Sequence, residues 1–407
     1  MDSFLIVIVW GKWGPYHFSR YRAFEDHAKT RRSRVIGVQY SDCSNDYAWK
    51  SIDNISGTGS LNLKLASTET SFNVKRILWI WTLFLLRNRP DVVVLPSYWN
   101  WSLLMNVIAR CLGARTVMMN ESHAGTARAA GLMQVIKRQI LRLFDAALVG
   151  GSPHQRHFSG LGMKKERIFI GYDTIDNKYF SEAVEKVRLS AEHTRARHGL
   201  PGRYILSIGR MVPKKNLESL VLAYAQLLRI VPEAPALVFV GSGETEAALL
   251  ALSRKMGLKV VQHLPDSEMR DAATQLKKPD GDAGYVYFHG FRQIDETPDF
   301  YALADCFVLP SIQEEWGLVV NEAMACGLPV IVSKTAGCAE DLVEDGGNGF
   351  TFDPTKVEEL VEALAAIISN QDLRERMGRR SSEIINKWGC DYFARQAFNA
   401  AMTACAV

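Results

Sequence analysis

Residues 305–350 read DCFVLPSIQEEWGLVVNEAMACGLPVIVSKTAGCAEDLVEDGGNGF. A short, continuously apolar run at 306–309 leads into a polar loop, a helical pattern starts near Gly317, and a second apolar run follows at 329–332. Unbroken apolar runs mark strands covered on both faces, and a helix between two of them marks a parallel strand-helix-strand unit. The pattern recurs throughout. Apolar runs stand at 4–9, 35–38, 92–95, 116–119, 146–149 and 168–170, and again at 204–208, 236–240, 286–288, 306–309 and 329–332. Both halves therefore read as doubly wound α/β domains. The junction falls in the charged stretch 181–203, which closes on Gly199-Leu200-Pro201-Gly202. The expected domains are 1–190 and 191–385, with a helix in 386–407 packing back on the first.

A length of 407 residues, with 47% hydrophobic and 23% charged residues, fits two substantial globular domains. It excludes a disordered, collagen-like or multi-spanning membrane chain. The net charge of +4 is too balanced to suggest a nucleic-acid partner. The balance hides a split, however: residues 1–200 hold 28 Lys and Arg against 16 Asp and Glu, and the remainder holds 20 against 28. The basic excess includes Lys12, Arg20, Arg22, Lys29, Arg31, Arg32 and Arg34. It suits an anionic acceptor or the anionic inner surface of a membrane.

The 7 cysteines are scattered, without a C-x-x-C pair, which fits a reducing cytoplasm with neither disulfides nor a zinc site. Before the run at 4–9 there is no basic n-region, so that run reads as a strand and not as a signal peptide. The most apolar run, ILWIWTLFLL at 77–86, is too short for a bilayer span of about 20 residues. It reads as a buried helix feeding the strand at 92–95. The sharper alternative is a monotopic membrane contact, with Trp79 and Trp81 at the interface and Lys75, Arg76, Arg87 and Arg89 as basic flanks.

The chemistry-bearing residues cluster at strand ends. Glu314 lies in the loop after 306–309, and Glu322 falls near the second turn of the following helix. Open α/β sheets bind ligands at this carboxyl edge. Between the two carboxylates, the amides of Gly317 and Leu318 form a helix start suited to phosphate. Upstream, the strand 204–208 ends in Gly209 and Arg210, with Lys215 just before the next helix. Two cations there suit a diphosphate leaving group without a metal. The structural alternative is a pair of solvated basic residues beside a helix cap. Gly241-Ser242-Gly243 lacks the third glycine of a dinucleotide fingerprint and reads as a tight turn. Asp280-Gly281-Asp282 sits in a Pro/Gly-rich charged insertion, 264–284, not at a strand end, so no metal site is expected there.

GRMVPKKN at 209–216, LVFVGSGE at 237–244 and the paired glutamates with GLPVIVSKTAGCAEDLVEDGGNGF at 327–350 resemble the retaining glycosyltransferases of glycosyltransferase family 4. These have the GT-B fold, two Rossmann-like domains facing each other across a cleft. The resemblance is close over about residues 204–355 and looser over the first domain. It implies that Arg210 and Lys215 bind the donor diphosphate, that Glu322 hydrogen-bonds the ribose and that Glu314 hydrogen-bonds the transferred sugar. Gly337 and Glu340 match the family's glycine-rich turn and glutamate after the next strand. The family often has Glu-Gly-Phe-Gly where this chain has Glu314-Glu315-Trp316-Gly317, which points to an altered sugar pocket.

In the first domain the resemblance implies a glycine-bearing loop near the donor diphosphate, for which Gly14 is the candidate, and a polar residue near the donor sugar, for which His123 is the candidate. His17 and Glu121 are acceptor-side candidates, the latter as a base; a plain turn, a structural histidine and a solvated loop pair are the alternatives. The expectation is a cytoplasmic retaining glycosyltransferase, peripheral on the inner membrane face, with Arg210, Lys215 and Glu314 as its catalytic residues. It uses a UDP-sugar as co-substrate, with no cofactor or metal, and a glycan, lipid-linked or small-molecule hydroxyl as acceptor. A sugar-nucleotide epimerase on the same fold and a non-catalytic subunit are the rival readings.

Overall fold

A computed structural model describes residues 3–39, 74–127, 131–263 and 281–406. Cys43, Asp280 and most of the 264–284 insertion lie outside the described residues. The chain forms two compact units, Met1–Asp176 with Trp388–Val407, and Asn177–Lys387. The first carries 24 Lys and Arg against 14 Asp and Glu, so the basic excess belongs to it.

In the first unit the strands are β1 (Leu5–Trp10), β2 (Arg34–Gln39), β3 (Val92–Leu95), β4 (Arg115–Asn120), β5 (Ala146–Val149) and β6 (Ile168–Ile170). They pair in parallel in the order β2-β1-β3-β4-β5-β6. Strands β3 and β5 are buried at every position, as their unbroken Val, Leu and Ala content requires. The helices are α1 (Pro15–Thr30), α2 (Val74–Asn88), α3 (Trp101–Cys111), α4 (Leu132–Leu141) and α5 (Ser152–Gly160). Alternate strand residues feed opposite faces. Val7, Val93 and Ala147 pack with Trp81 of α2, Met105 of α3, Leu141 of α4 and Phe158 of α5. Ile8, Val94 and Leu148 face the other way, onto Tyr21 and Phe24 of α1.

The second unit has strands β7 (Tyr204–Ile208), β8 (Ala236–Val240), β9 (Lys259–Gln262), β10 (Tyr285–Phe288), β11 (Cys306–Leu309), β12 (Val330–Ser333) and β13 (Gly349–Phe352). All pair in parallel, in the order β13-β12-β11-β7-β8-β10-β9. Its helices are α6 (Asn177–Leu189), α7 (Ala191–His198), α8 (Leu217–Ile230), α9 (Glu246–Lys255), α10 (Thr297–Tyr301), α11 (Leu318–Ala325), α12 (Ala339–Leu342), α13 (Val357–Ile368) and α14 (Gln371–Ile385). The last helix, α15 (Cys390–Cys405), belongs to the first unit, where Phe393, Ala397 and Ala401 join Tyr21 and Phe24.

Both sheets reverse direction once. The chain steps from β1 outward to β2 and then crosses to β3 on the other side of β1; likewise β8 to β10 lie on one side of β7 and β11 to β13 on the other. The reversal leaves a crevice at the carboxyl ends of the two strands that flank it, here β7 and β11. Both strands run into the segments singled out for chemistry.

The run at 77–86 is only half buried. Ile77, Trp81, Phe84 and Leu85 enter the core, while Trp79 is 64% exposed. The expectation of a buried helix is thus met on one side of α2 only.

Acid sensitivity is built into the second unit. His289, just past β10, is fully buried, finds no hydrogen-bond partner for either ring nitrogen among the described residues, and stacks on His263 at 4.6 Å. Arg292 and the His198–Asp299 pair complete its charged surroundings. Burial first, then His263, Arg292 and His198, push its pKa well below the usual histidine value of 6.5. The unfolded chain takes up this proton near 6.5 and the folded chain resists it. Stability is therefore full above that pH and declines below it, by at most about 1.4 kcal/mol per pH unit for each such group. The expected result is that the melting temperature of His289→Phe depends less steeply on pH between neutrality and pH 5 than that of the parent. Parallel curves would remove His289 from the acid response.

Candidate functional site

The site grows from backbone geometry at the carboxyl edge of the second sheet. After β7, Gly209 has φ of +150°, and after β8, Gly241 has φ of +133° and Gly243 +157°. The two turns are joined backbone to backbone: the Gly209 amide donates to the Val240 carbonyl (2.9 Å), Met211 to Ser242 (2.9 Å) and Thr245 to Met211 (3.0 Å). A methyl group on Gly241 would stand 2.0 Å from the Gly209 carbonyl oxygen. The pair of glycines in 241–243 therefore serves close approach to the 209–211 turn, consistent with the reading of a tight turn.

A single helical turn, Pro213–Lys215, then presents Lys215. Asn216, in the left-handed conformation, ties this turn to neighbouring segments by donating Nδ2 to the carbonyls of Pro310 (3.2 Å) and Pro354 (3.0 Å). The loop after β11 meets it there. Lys215 Nζ donates to Glu314 Oε2, and Ser311 Oγ donates to the same oxygen at 3.0 Å. Both partners of this ion pair are mostly buried, 12% and 10% exposed. A recess lined by Gly209, Arg210, Lys215 and Leu309 opens beside them. Next to it, Lys214 holds Glu315 at 3.0 Å. Burial works against the Glu315 charge, but the Lys214 ammonium, the residue's own backbone amide and the Lys215 charge together outweigh it and keep that carboxyl below the usual range.

Gly317 begins α11 with φ of +104°. A side chain there would meet Leu309 Cδ2 at 2.8 Å, so the turn needs glycine twice over. The α11 amide end thus follows three residues after Glu314, with Leu318 in its first turn. Trp316 points inward, its indole N–H donating to Asn321 Oδ1 at 2.9 Å. Glu322, on the second turn, is 2% exposed and accepts from the Tyr301 hydroxyl at 2.9 Å. The Gly337 amide donates to the Glu314 carbonyl (3.2 Å), which fixes the loop carrying Glu314 against the turn after β12. Glu340 is exposed in the first turn of α12.

In this unit the structure brings Arg210, Lys215, Glu314, Gly317, Leu318 and Glu322 to the ends of two adjacent strands. Ser311, Lys214, Asn216 and Tyr301 were not anticipated. Ser311 had a faint signal, standing three residues before Glu314; Tyr301 had none, because it comes from α10, 21 residues before its partner.

In the first unit the candidates sit at the carboxyl edge of the first sheet. The Gly14 amide donates to His17 Nδ1 at 3.0 Å, and Gly14 has an ordinary extended φ of −106°. His17 therefore caps α1. Burial, then Arg20, push its pKa down to about 3, so the ring stays neutral. The β5-to-α5 turn repeats the device, with the Gly151 amide on His154 Nδ1 at 3.1 Å. His123 accepts from the Gly125 amide (3.2 Å), and its ring meets His154 edge-on at 5.1 Å. Glu121 lies close enough to the buried Asp173 to act on its charge. Burial, then the Glu121 charge, raise the Asp173 pKa well above the carboxylate range against the pull of Arg20. Arg20 Nη2 stands 3.7 Å from Asp173, and its Nε donates to the Thr174 carbonyl at 2.9 Å. In the insertion, Asp282 receives the backbone amides of Gly202 (3.0 Å) and Arg203 (2.8 Å), a capping role.

Comparison with known proteins agrees with this architecture. Residues 191–280 and 273–383 match the family described as glycosyl transferases group 1. The chain is 33% identical over 163 residues to the sulfoquinovosyl transferase SQD2 of Arabidopsis thaliana, covering 39% of this chain and 31% of that one. It is 26% identical over 289 residues to the GDP-mannose-dependent alpha-(1-6)-phosphatidylinositol monomannoside mannosyltransferase of Mycolicibacterium smegmatis, covering 68% and 66%. The chain thus spans less than two thirds of the length of these curated relatives. Among solved structures, a glycosyltransferase from Rickettsia africae superposes with a TM-score of 0.70 at 14% identity, over 99% of both chains. Anabaena HepE in complex with UDP and glucose superposes at 0.69 and 18% identity, over 97% of this chain and 98% of that one. With two parallel-sheet Rossmann-like units the chain has the GT-B fold, and its second unit, matched almost end to end, is similar to the family of glycosyl transferases group 1.

Proposed function

We propose that the chain is a glycosyltransferase that moves a sugar from a UDP-sugar to a hydroxyl acceptor, with retention and without a metal. The observation that carries this reading is the Lys215–Glu314 pair, held beside Arg210 and the amide end of α11 at the reversal point of a parallel sheet. That edge is where such sheets take ligands, and a helix amide end favours phosphate. A diphosphate arriving there takes over the Lys215 ammonium, and Glu314 turns to the sugar hydroxyls. Glu322 takes the ribose. Gly14 and His123 are assigned to the donor side of the first unit, and His17 and Glu121 to the acceptor side. The nucleotide and sugar named for HepE, and the lipid acceptor named for the mycobacterial enzyme, support a nucleotide-sugar donor and a glycan, lipid-linked or small-molecule acceptor.

In the reaction, the bond from the anomeric carbon to the diphosphate oxygen breaks, and a bond to the acceptor oxygen forms on the same face of the sugar. The departing phosphate oxygen takes the acceptor proton, so no protein nucleophile is required. Arg210 and Lys215 stabilise the charge that develops on the leaving group. Glu314 orients the ring.

A panel of nucleotide sugars tests the donor by thermal stabilisation, since a ligand that binds only the folded chain raises its melting temperature. The anomeric configuration of the product is then read by NMR. Stabilisation by a UDP-sugar and a retained product are expected. No stabilisation by any member, an inverted product, or an epimer formed without acceptor would overturn the reading. A finer test concerns Tyr301. Without its hydroxyl, Glu322 loses one donor in a buried site, so Tyr301→Phe is expected to raise the donor KM by about 3- to 10-fold while kcat stays nearly constant. A fall in kcat with unchanged KM would place Tyr301 elsewhere in the mechanism.

A further inference from the structure

Helices on the outside of a parallel sheet normally turn polar faces to water. Three in the first unit do the reverse. On α2, Trp79, Leu83 and Leu86 follow one another at helical spacing on the side away from the core. On α3, Leu104 and Val107 do the same, and α4 exposes Leu132 at 76% together with Val135. Of the 16 large apolar side chains exposed among the described residues, 12 lie between Trp79 and Leu143. These helices cover the same sheet face, because Trp81, Met105 and Leu141 share one core layer. The outward residues therefore form one broad apolar surface, more than scattered exposure explains.

Its charge is one-sided. Neither α2, α3 nor α4 contains an Asp or Glu, whereas they carry Lys75, Arg76, Arg87, Arg110, Lys137 and Arg138. Arg110 is engaged by Asp145 at 2.7 Å. A second copy of the chain set face to face would bring like charges together. An anionic bilayer supplies both an apolar layer for the Trp and Leu side chains and negative headgroups for the basic ones.

We infer that the outer face of α2, α3 and α4 is a docking surface for an anionic lipid bilayer, lying on it without spanning it. No helix among the described residues is long and apolar enough to cross a membrane. The test uses the intact chain in co-sedimentation with vesicles of phosphatidylglycerol and phosphatidylcholine against phosphatidylcholine alone, at low and high salt. Binding to the anionic vesicles is expected to exceed binding to the neutral ones at least about tenfold and to weaken with salt. Two variants are compared, Lys137→Glu with Arg138→Glu, and Trp79→Ser with Leu83→Ser. Both change exposed or partly exposed side chains outside the core, and each is expected to lower the partition constant at least about tenfold. Equal binding to both vesicle types, or parent-like binding by both variants, would overturn the proposal. So would a dimer, seen by light scattering, that the Trp79→Ser, Leu83→Ser variant dissolves, since this gives the face to a second copy. Vesicle binding requires neither donor nor transfer, so it fails or holds independently of the reaction.

Discussion

Lys215→Ala is expected to reduce kcat/KM by about 10²- to 10³-fold, the usual loss when one preorganised group facing developing charge is removed. The leaving diphosphate gains negative charge as the sugar bond breaks, and Lys215 stands in the recess beside Arg210 where that charge is assigned. Arg210 remains in the variant, so a measurable residue of activity persists. The fold is expected to survive, because Glu314 keeps the Ser311 hydroxyl at 3.0 Å. Circular dichroism melting checks this in the same preparation. Near-normal turnover would remove Lys215 from the reaction. Glu314→Ala is expected to lose a similar factor, and the double variant about as much as the worse single one, since the two side chains act as a coupled pair. Fully additive losses would mean that Lys215 and Glu314 work separately.

Gly241→Ala is expected to act on stability. A Cβ there lies 2.0 Å from the Gly209 carbonyl oxygen and 2.9 Å from its carbon, both main-chain atoms of a turn that is itself hydrogen-bonded to this segment. Neither can rotate away as a side chain would, and φ of +133° is costly for alanine on its own account. The turn after β8 must move out, carrying with it the bonds that hold 209–211 in place. A loss of roughly 3 kcal/mol or more follows, seen as a large fall in melting temperature or as insoluble protein. Any soluble fraction is expected to bind nucleotide sugar poorly, because Arg210 sits on the displaced turn. A melting temperature within a degree or two of the parent would show that the two turns are not locked together.

The buried strands were legible because their neighbours cover both faces: 204–208, 236–240 and 306–309 each announce themselves as unbroken apolar runs. The two edge strands of the second sheet were not. Strand β9, KVVQ, is partly exposed at both middle positions, and β13 begins at a glycine after a glycine-rich turn, so neither shows the signature of a fully covered strand. The site was legible to the extent that it lies in strand-end loops of adjacent strands, where spacing along the chain translates into position. Residues that reach it from elsewhere, such as Tyr301, left no trace in the local pattern. In the first unit the same reasoning marked Gly14 and His17 as separate candidates, whereas the structure joins them in one helix cap; a hydrogen bond over three residues is invisible to composition. The run that forms α2 stayed open between a buried helix and a membrane contact, because hydrophobicity reveals that a helix is apolar all round but not which side finds a partner.

Helix α15 carries a consequence for the order in which the protein is made. The first unit supplies its own sheet and α1 early, yet Phe393, Ala397 and Ala401 close that layer of its core from the far end of the chain. The ribosome must add more than 200 residues after Asp176 before that helix exists. At roughly 5–20 residues per second this leaves Tyr21 and Phe24 without their final cover for about 10–50 seconds, while the second unit is synthesised and free to fold. The unit that starts first therefore finishes last, and the nascent chain needs a chaperone or its own transient collapse to shield that face in the interval.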